Sequence, residues 1–169
     1  QEVFRSRLRE RVLSYDERLQ HLRAQSVEAH KASVIFAGFA EAAEKSLQEL
    51  RVRLDGEQLE KAVELLAKAE TIFLVGLRRS FPISSYMSYA FGKLAIKNQL
   101  IGATGGLAAE DVSFATPQDV VLAISFTPYA SETVKLAQSA AARAVPVISI
   151  TDSAFSPLVP VAKLWFEVT

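Results

Sequence analysis

Hydroxyl-bearing side chains are concentrated in two loops of the second half of the chain. Residues 125–133 read Ser-Phe-Thr-Pro-Tyr-Ala-Ser-Glu-Thr, and residues 151–156 read Thr-Asp-Ser-Ala-Phe-Ser. The first loop leads into an alanine-rich segment that is typical of a helix. A helix N-terminus offers free N–H groups and a dipole that favours an anion. Hydroxyls beside free amides suit a phosphate group, and a shallow pocket next to them suits a sugar.

A simpler interpretation also fits the longer loop. A serine or threonine before a helix is often only an N-cap, and Ser131 is placed to be one. Several hydroxyl-bearing loops at one edge of a sheet favour a ligand site over capping alone. We therefore expect the loop Ser125–Thr133 to bind a small molecule.

A third loop adds positive charge to this group. It reads Gly76-Leu-Arg-Arg-Ser80 and follows an apolar run. Arg78 and Arg79 either pair with an anionic ligand or form a solvated surface pair, and the sequence leaves both interpretations open.

These loops follow short apolar runs that are typical of strands buried on both faces. Five strands are predicted: Ile72–Gly76, Leu100–Ala103, Val120–Ser125, Val145–Ile150 and Leu164–Val168. Two helices lie between them, one containing Tyr86, Tyr89, Phe91 and Leu94, and one spanning Ser131–Arg143. Such alternation implies parallel strands joined by right-handed crossovers. The predicted fold is α/β, a three-layer α/β/α sandwich with a parallel, flavodoxin-like five-stranded sheet.

The first 70 residues differ in composition from the rest. They carry 12 basic and 13 acidic residues and no proline, whereas residues 71–169 hold all six prolines. Apolar residues recur at helical spacing over Val3–Leu22 and Val27–Arg51, and Asp55 is placed to cap a third helix. We expect a boundary near Glu70–Thr71. The apolar stripes need a cover, either the α/β domain or a second copy of the chain.

Bulk properties narrow the classes of function. Lys plus Arg and Asp plus Glu number 19 each, so no net field attracts nucleic acid or a membrane. There is no cysteine, which excludes thiolate metal sites and disulfides and fits a reducing, cytoplasmic compartment. No apolar run is long enough for a membrane span. We predict no cofactor and no metal.

Catalysis requires a base, and the candidates are poorly placed. A base that moves a proton beside a carbonyl is most often histidine. Both histidines, His21 and His30, lie in the first half. The carboxylates of Glu110, Asp111 and Glu132 remain as alternatives, although acids after a turn more often begin a helix.

Three motifs together carry a family resemblance. They are Gly76-Leu-Arg-Arg-Ser80, the loop Ser125–Thr133, and Val145-Pro-Val-Ile-Ser-Ile-Thr151 followed by Ser156-Pro-Leu158. With these motifs, residues 71–169 resemble a sugar isomerase (SIS) domain. Residues 1–70 resemble the connector of RpiR-type transcriptional regulators, in which a helix-turn-helix domain precedes the SIS domain. Most of that DNA-binding domain is expected upstream of residue 1, and a covering helix beyond residue 169.

The resemblance implies roles for particular side chains. Ser80, Ser125 and Thr127 match positions that hold phosphate or sugar, whereas Pro128 and Ala130 replace a usual glycine and a usual phosphate-binding threonine. Arg78 replaces a loop glycine. These departures indicate a changed pocket, either for a different or less phosphate-dependent ligand or with Arg78 or Arg79 restoring affinity for an anion. The predicted ligand-binding residues are Arg78, Arg79, Ser80, Ser125, Thr127, Ser131, Glu132 and Thr133, and no catalytic residue is assigned.

The resulting hypothesis is the effector-binding and dimerisation part of a sugar-responsive regulator. Its expected partners are a phosphorylated sugar or related effector, DNA through the upstream domain, and further copies of the chain in a homodimer or higher homo-oligomer. The rivals are a sugar-phosphate isomerase and a purely structural dimerisation module.

Overall fold

A computed structural model of the protein describes residues 32–102 and 104–168. The described residues divide into two units, one ending at Glu49 and one beginning at Leu50. The predicted helix Val3–Leu22 and both histidines lie outside the described residues.

Two helices precede the sheet. Helix α1 spans Ala32–Arg53 and helix α2 spans Gly56–Lys68. Asp55 is the N-cap of α2, as predicted, because its Oδ1 accepts the backbone N–H groups of Glu57 at 2.9 Å and Gln58 at 3.3 Å. The apolar face of α2 packs on the sheet through Ala62, which is buried.

The sheet contains five parallel strands in the order β2-β1-β3-β4-β5. Their bounds are β1 Ile72–Val75, β2 Asn98–Ile101, β3 Val120–Ile124, β4 Val147–Thr151 and β5 Leu164–Glu167. This is the flavodoxin-like order, and the predicted fold class is confirmed. The runs of Val, Ile and Leu in β1 and β3 are buried at every position, because helices cover both faces of these central strands.

Helices complete the two outer layers. They are α3 Phe81–Lys93, α4 Ala108–Ser113 and α5 Ser131–Ala142. Three short 3-10 turns lie at Arg78–Ser80, Thr104–Gly106 and Val159–Val161. Alternate residues of the strands point to opposite faces, so the sheet separates two cores. Leu136 and Ala137 of α5 belong to one core with Val121, while Ala62 of α2 belongs to the other with Leu122.

The fully buried aliphatic side chains account for much of the stability. Leu74, Ile124 and Ile148 are each no more than 1% exposed, and burial of one such side chain contributes about 1.5–3 kcal/mol. Helix α3 uses only part of its apolar surface in this way. Phe91 packs on the sheet, whereas Tyr86, Tyr89 and Leu94 remain exposed. Within the described residues, no helix combines the length and apolar character needed to cross a bilayer.

Candidate functional site

The loops after β1 and β3 meet at a pocket. These two strands are neighbours, and the chain leaves them toward opposite sides of the sheet, so strand order reverses between them. Parallel sheets bind ligands at this reversal, beyond the carboxyl ends of the strands. A pocket of about 140 Å³ lies there, lined by Leu77, Arg78, Arg79, Ser80, Ser125, Phe126, Pro128 and Ala130. A larger hollow of about 240 Å³ lies at the outer strand β5, away from the reversal.

A close approach of backbone to helix shapes the β1–α3 loop. A Cβ atom on Gly76 would lie 3.1 Å from both the Ser80 carbonyl oxygen and the Ser84 Oγ. The buried Ser84 hydroxyl donates to the Gly76 carbonyl oxygen at 3.0 Å. A side chain at position 76 would therefore push these neighbours away by a few tenths of an ångström, so glycine allows the turn to hold residues 78–80 against the strand end.

Arg78 has an unusual backbone conformation within this turn. Its φ is +55°, in the left-handed region where a side chain costs about 1–2 kcal/mol. The glycine that the family resemblance leads one to expect at this position would adopt it freely. Both Arg78 and Arg79 are exposed at the pocket, while Ser80 is buried.

Thr133 fixes the same loop from the other side. Its side chain is completely buried, and its Oγ1 accepts the backbone N–H of Leu77 at 3.2 Å. This bond joins the first turn of α5 to the residue that precedes Arg78. The Thr133 hydroxyl therefore positions the pocket wall, and Thr133 does not itself line the pocket.

Ser125 begins the second wall of the pocket. It is buried, and its Oγ accepts the backbone N–H of Ala130 at 3.1 Å, which closes the loop 125–130 on itself. Ala130 occupies the N-cap position of α5 and supplies no side-chain cap. Ser131 is thus the first helical residue instead of the cap, and the first N–H groups of α5 have no capping side chain beside the pocket.

An unpredicted cluster braces this loop from β4. The Oδ2 atom of Asp152 accepts the backbone N–H of Thr127 at 2.8 Å. Its Oδ1 is buried and has no hydrogen-bond partner among the described residues. Burial raises the pKa of the neighbouring Tyr129 hydroxyl; a hydrogen bond with Thr127 lowers this pKa, and the Asp152 carboxylate raises it. The sequence signal for this cluster was an acid placed directly after a strand, inside the loop 151–156.

The structure brings four of the eight predicted ligand residues together. Arg78, Arg79, Ser80 and Ser125 line the pocket. The other four lie outside its lining: Thr127 is half-buried, Thr133 is internal, and Ser131 and Glu132 are exposed on the first turn of α5.

The candidate bases do not line the pocket either. Glu110 and Asp111 lie on α4, and Glu132 points outward from α5. Among residues 32–102 and 104–168, no group of three or more metal-ligating side chains is arranged to hold an ion.

Comparisons with known proteins identify the family of the chain. Residues 65–169 match the family described as "SIS domain". The chain is 32% identical over 109 residues to the uncharacterized HTH-type transcriptional regulator YbbH of Bacillus subtilis, covering 64% of this chain and 38% of that protein. The chain therefore spans well under half the length of this relative.

Two solved structures share the fold. The sugar isomerase domain of an RpiR transcription factor from Sphaerobacter thermophilus has a TM-score of 0.70 at 22% identity, covering 77% of this chain and 74% of that one. The Vibrio vulnificus NanR protein, complexed with ManNAc-6P, has a TM-score of 0.74 at 24% identity, covering 92% of this chain and 58% of that one.

Proposed function

This chain belongs to the SIS domain family, and from that premise we propose that it is the effector-binding and dimerisation part of a sugar-responsive transcriptional regulator of the RpiR type. Its effector is a phosphorylated sugar or a related carbohydrate derivative, which binds in the pocket between the loops after β1 and β3. DNA is bound by a helix-turn-helix domain upstream of residue 1, in the cytoplasm.

The pocket at the strand reversal carries this proposal. It presents two guanidinium groups, two hydroxyls and the start of helix α5 on one small surface. Guanidinium groups and free backbone N–H groups bind phosphate oxygens, and hydroxyls bind either phosphate or sugar. A volume of about 140 Å³ suits part of a monosaccharide derivative, with the remainder held at the open mouth.

Relatives support a regulatory role. The similar Bacillus subtilis protein is named an HTH-type transcriptional regulator, and so is a Thermotoga maritima protein that is 29% identical over 105 residues. NanR, which has a similar fold, was solved with a phosphorylated sugar. We infer that the longer protein containing this chain changes its DNA affinity when the pocket is occupied.

Sensing is favoured over isomerisation by the positions of the acids. An isomerase base must reach the carbon-bound proton of the substrate, within hydrogen-bond distance or through one water. Glu110, Asp111 and Glu132 all lie outside the pocket lining. Among the described residues that line the pocket there is no carboxylate, and the nearby Asp152 carboxylate accepts the Thr127 N–H and so braces the loop 125–130. The arrangement therefore suits anchoring of a ligand better than proton transfer.

Self-association would use helix α1. Phe36, Ala40, Ala43, Leu47 and Leu50 recur along α1 at alternating spacings of four and three residues, which places them on one face. Phe36 and Leu47 are 73% and 67% exposed. We infer that a second copy of the chain covers this face, forming a homodimer or a higher homo-oligomer.

Ligand screening would test the sensor function. Thermal shifts would be measured with glucose 6-phosphate, ManNAc 6-phosphate and arabinose 5-phosphate, each paired with its unphosphorylated sugar. We expect at least one phosphorylated sugar to raise Tm by several degrees at millimolar concentration, because it binds only the folded state. NMR of each binding sugar after overnight incubation should show the sugar unchanged.

Each other outcome has a definite meaning. Conversion of a bound sugar phosphate to its ketose or aldose isomer would show that the protein is an isomerase and not a sensor. If none of the sugars shifts the Tm of the wild-type protein, the sensor function is contradicted and a purely structural dimerisation module is the function that remains.

A further inference from the structure

The pocket holds fewer available hydroxyls than its loops contain. Thr133 accepts the Leu77 N–H and is completely buried, so it is occupied by the fold. The Ser125 Oγ already accepts the Ala130 N–H, so one lone pair and the proton of this hydroxyl remain for a ligand. Among the described residues, the Ser80 hydroxyl has no hydrogen-bond partner and is the one fully available hydroxyl of the lining. Hydroxyls alone therefore make a poor cradle for a phosphate.

The second wall of the pocket, formed by the loop 125–130, also offers few free backbone N–H groups. Pro128 has no N–H to donate, and the N–H of Ala130 is bound to Ser125. The backbone N–H groups that remain on this wall are those of Phe126, of Tyr129 and of the first turn of α5, whose N-cap residue contributes no side chain. An anion in this pocket would need a further source of positive charge.

The two arginines supply that charge without internal neutralisation. Neither Arg78 nor Arg79 forms an ion pair with a carboxylate of the described residues, whereas Arg53, Lys61 and Lys68 do. No carboxylate is among the eight residues of the lining. A guanidinium group binds two oxygens of a phosphate at once, and it remains charged at every physiological pH.

Arg78 also occupies the one position of the lining where a side chain strains the backbone. Its φ of +55° suits glycine, and strained positions of this kind cluster at ligand sites. Resting on the proposed function, we infer that Arg78 is the specificity-determining residue of the pocket. Its guanidinium group, assisted by Arg79, holds the phosphoryl group of a sugar phosphate in place of a hydroxyl-lined cradle.

Phosphoryl binding by hydroxyls and backbone amides, the alternative to binding by Arg78, predicts the opposite effect of Arg78→Gly on affinity. If hydroxyls and backbone amides held the phosphoryl group, Arg78→Gly would relax the loop, open it to the anion, and leave affinity equal or higher. If Arg78 holds the phosphoryl group, Arg78→Gly removes the main contact although it suits the backbone. Arg78→Asn also tolerates a positive φ and removes the charge, so it serves as a second variant.

Calorimetric titration of these variants would decide between them. The probes are glucose 6-phosphate, ManNAc 6-phosphate, their unphosphorylated sugars and inorganic phosphate, each at 50, 150 and 300 mM NaCl. We expect Arg78→Gly and Arg78→Asn to bind the sugar phosphates at least about tenfold more weakly than wild type, as loss of a charge-assisted hydrogen bond requires. Affinity of the variants should also depend less on salt.

A matched control separates local from general charge effects. Lys97 is exposed and precedes β2, at the opposite edge of the sheet from the pocket. Lys97→Ala should therefore bind within about twofold of wild type. Arg78→Gly binding a sugar phosphate as tightly as wild type would overturn the inference and leave the proposed function intact. Wild-type protein that binds no sugar phosphate would instead contradict the proposed function itself.

Discussion

Single hydroxyl groups in this protein have two distinct tasks, and hydrogen bonding separates them. Ser80 lines the pocket with its hydroxyl unbonded among the described residues. Thr133 and Thr151 are completely buried and bond to backbone atoms of the loops that shape the pocket. A change at Ser80 should therefore alter ligand binding, and a change at Thr133 should alter stability first.

Thr133→Val tests this division. The valine keeps the shape of the side chain but leaves the buried N–H of Leu77 without an acceptor, which costs about 1–3 kcal/mol. Urea denaturation should show this loss in the free energy of unfolding. Thr133→Ser retains the acceptor and should lose only the smaller contribution of one methyl group, about 0.8 kcal/mol. A larger loss in Thr133→Ser than in Thr133→Val would show that packing of the methyl group, which valine retains, and not the hydrogen bond, is what matters.

At the residue scale, motif and spacing identified the pocket only partly. The positions of four lining residues were predictable, because they lie in loops that follow β1 and β3 and these parallel strands end at the same edge of the sheet. They are Arg78, Arg79, Ser80 and Ser125. The internal role of Thr133 was not predictable, since a threonine beside a helix start reads the same whether it faces a ligand or a backbone N–H. The bracing role of Asp152 depends on its distance from Thr127, 25 positions earlier in the chain.

At the scale of elements, continuous apolar runs were the most reliable signal. Strands β1 and β3 were predicted to within one residue of their ends, because burial on both faces leaves few polar positions within them. Helix α3 was predicted without its orientation. Its aromatic residues are spread around the helix, so spacing alone did not show that Phe91 packs inward while Tyr86 and Tyr89 remain exposed.

The N-cap of α2 allows a quantitative test at this scale. Asp55 accepts two backbone N–H groups that have no partner within the helix. Asp55→Ala should lower the free energy of unfolding by about 1 kcal/mol, measured by urea denaturation. Asp55→Asn keeps a capping oxygen, so its loss should stay within about 0.5 kcal/mol. A loss as large for asparagine as for alanine would assign the effect to the negative charge at the helix N-terminus instead of the hydrogen bonds.

At the scale of the whole molecule, the alternation of strands and helices was enough to predict the sheet. Right-handed crossovers between parallel strands permit few arrangements, and the observed order is one of the two common doubly wound ones. The surface that covers the apolar stripe of α1 could not be predicted in the same way. An apolar stripe shows that a partner surface is needed and does not identify it, because the same spacing suits a domain face or another copy of the chain.

The exposed stripe of α1 and its opposite face provide a matched pair of substitutions. Leu47 lies on the stripe, whereas Val52 is also apolar and exposed but lies about 140° away around the helix, from the geometry of 100° per residue. If a second copy covers the stripe, Leu47→Glu buries a charge at the interface and should convert the oligomer to monomer. Val52→Glu should leave the oligomer intact.

Light scattering after gel filtration, over about 1–100 μM protein, would measure both molar masses. Sugar-phosphate binding by the Leu47→Glu monomer would verify that its pocket is folded. A wild-type monomer throughout this range, or a Leu47→Glu variant of unchanged mass, would contradict self-association through α1. A Val52→Glu variant that also dissociates would place the contact on a different face of the helix.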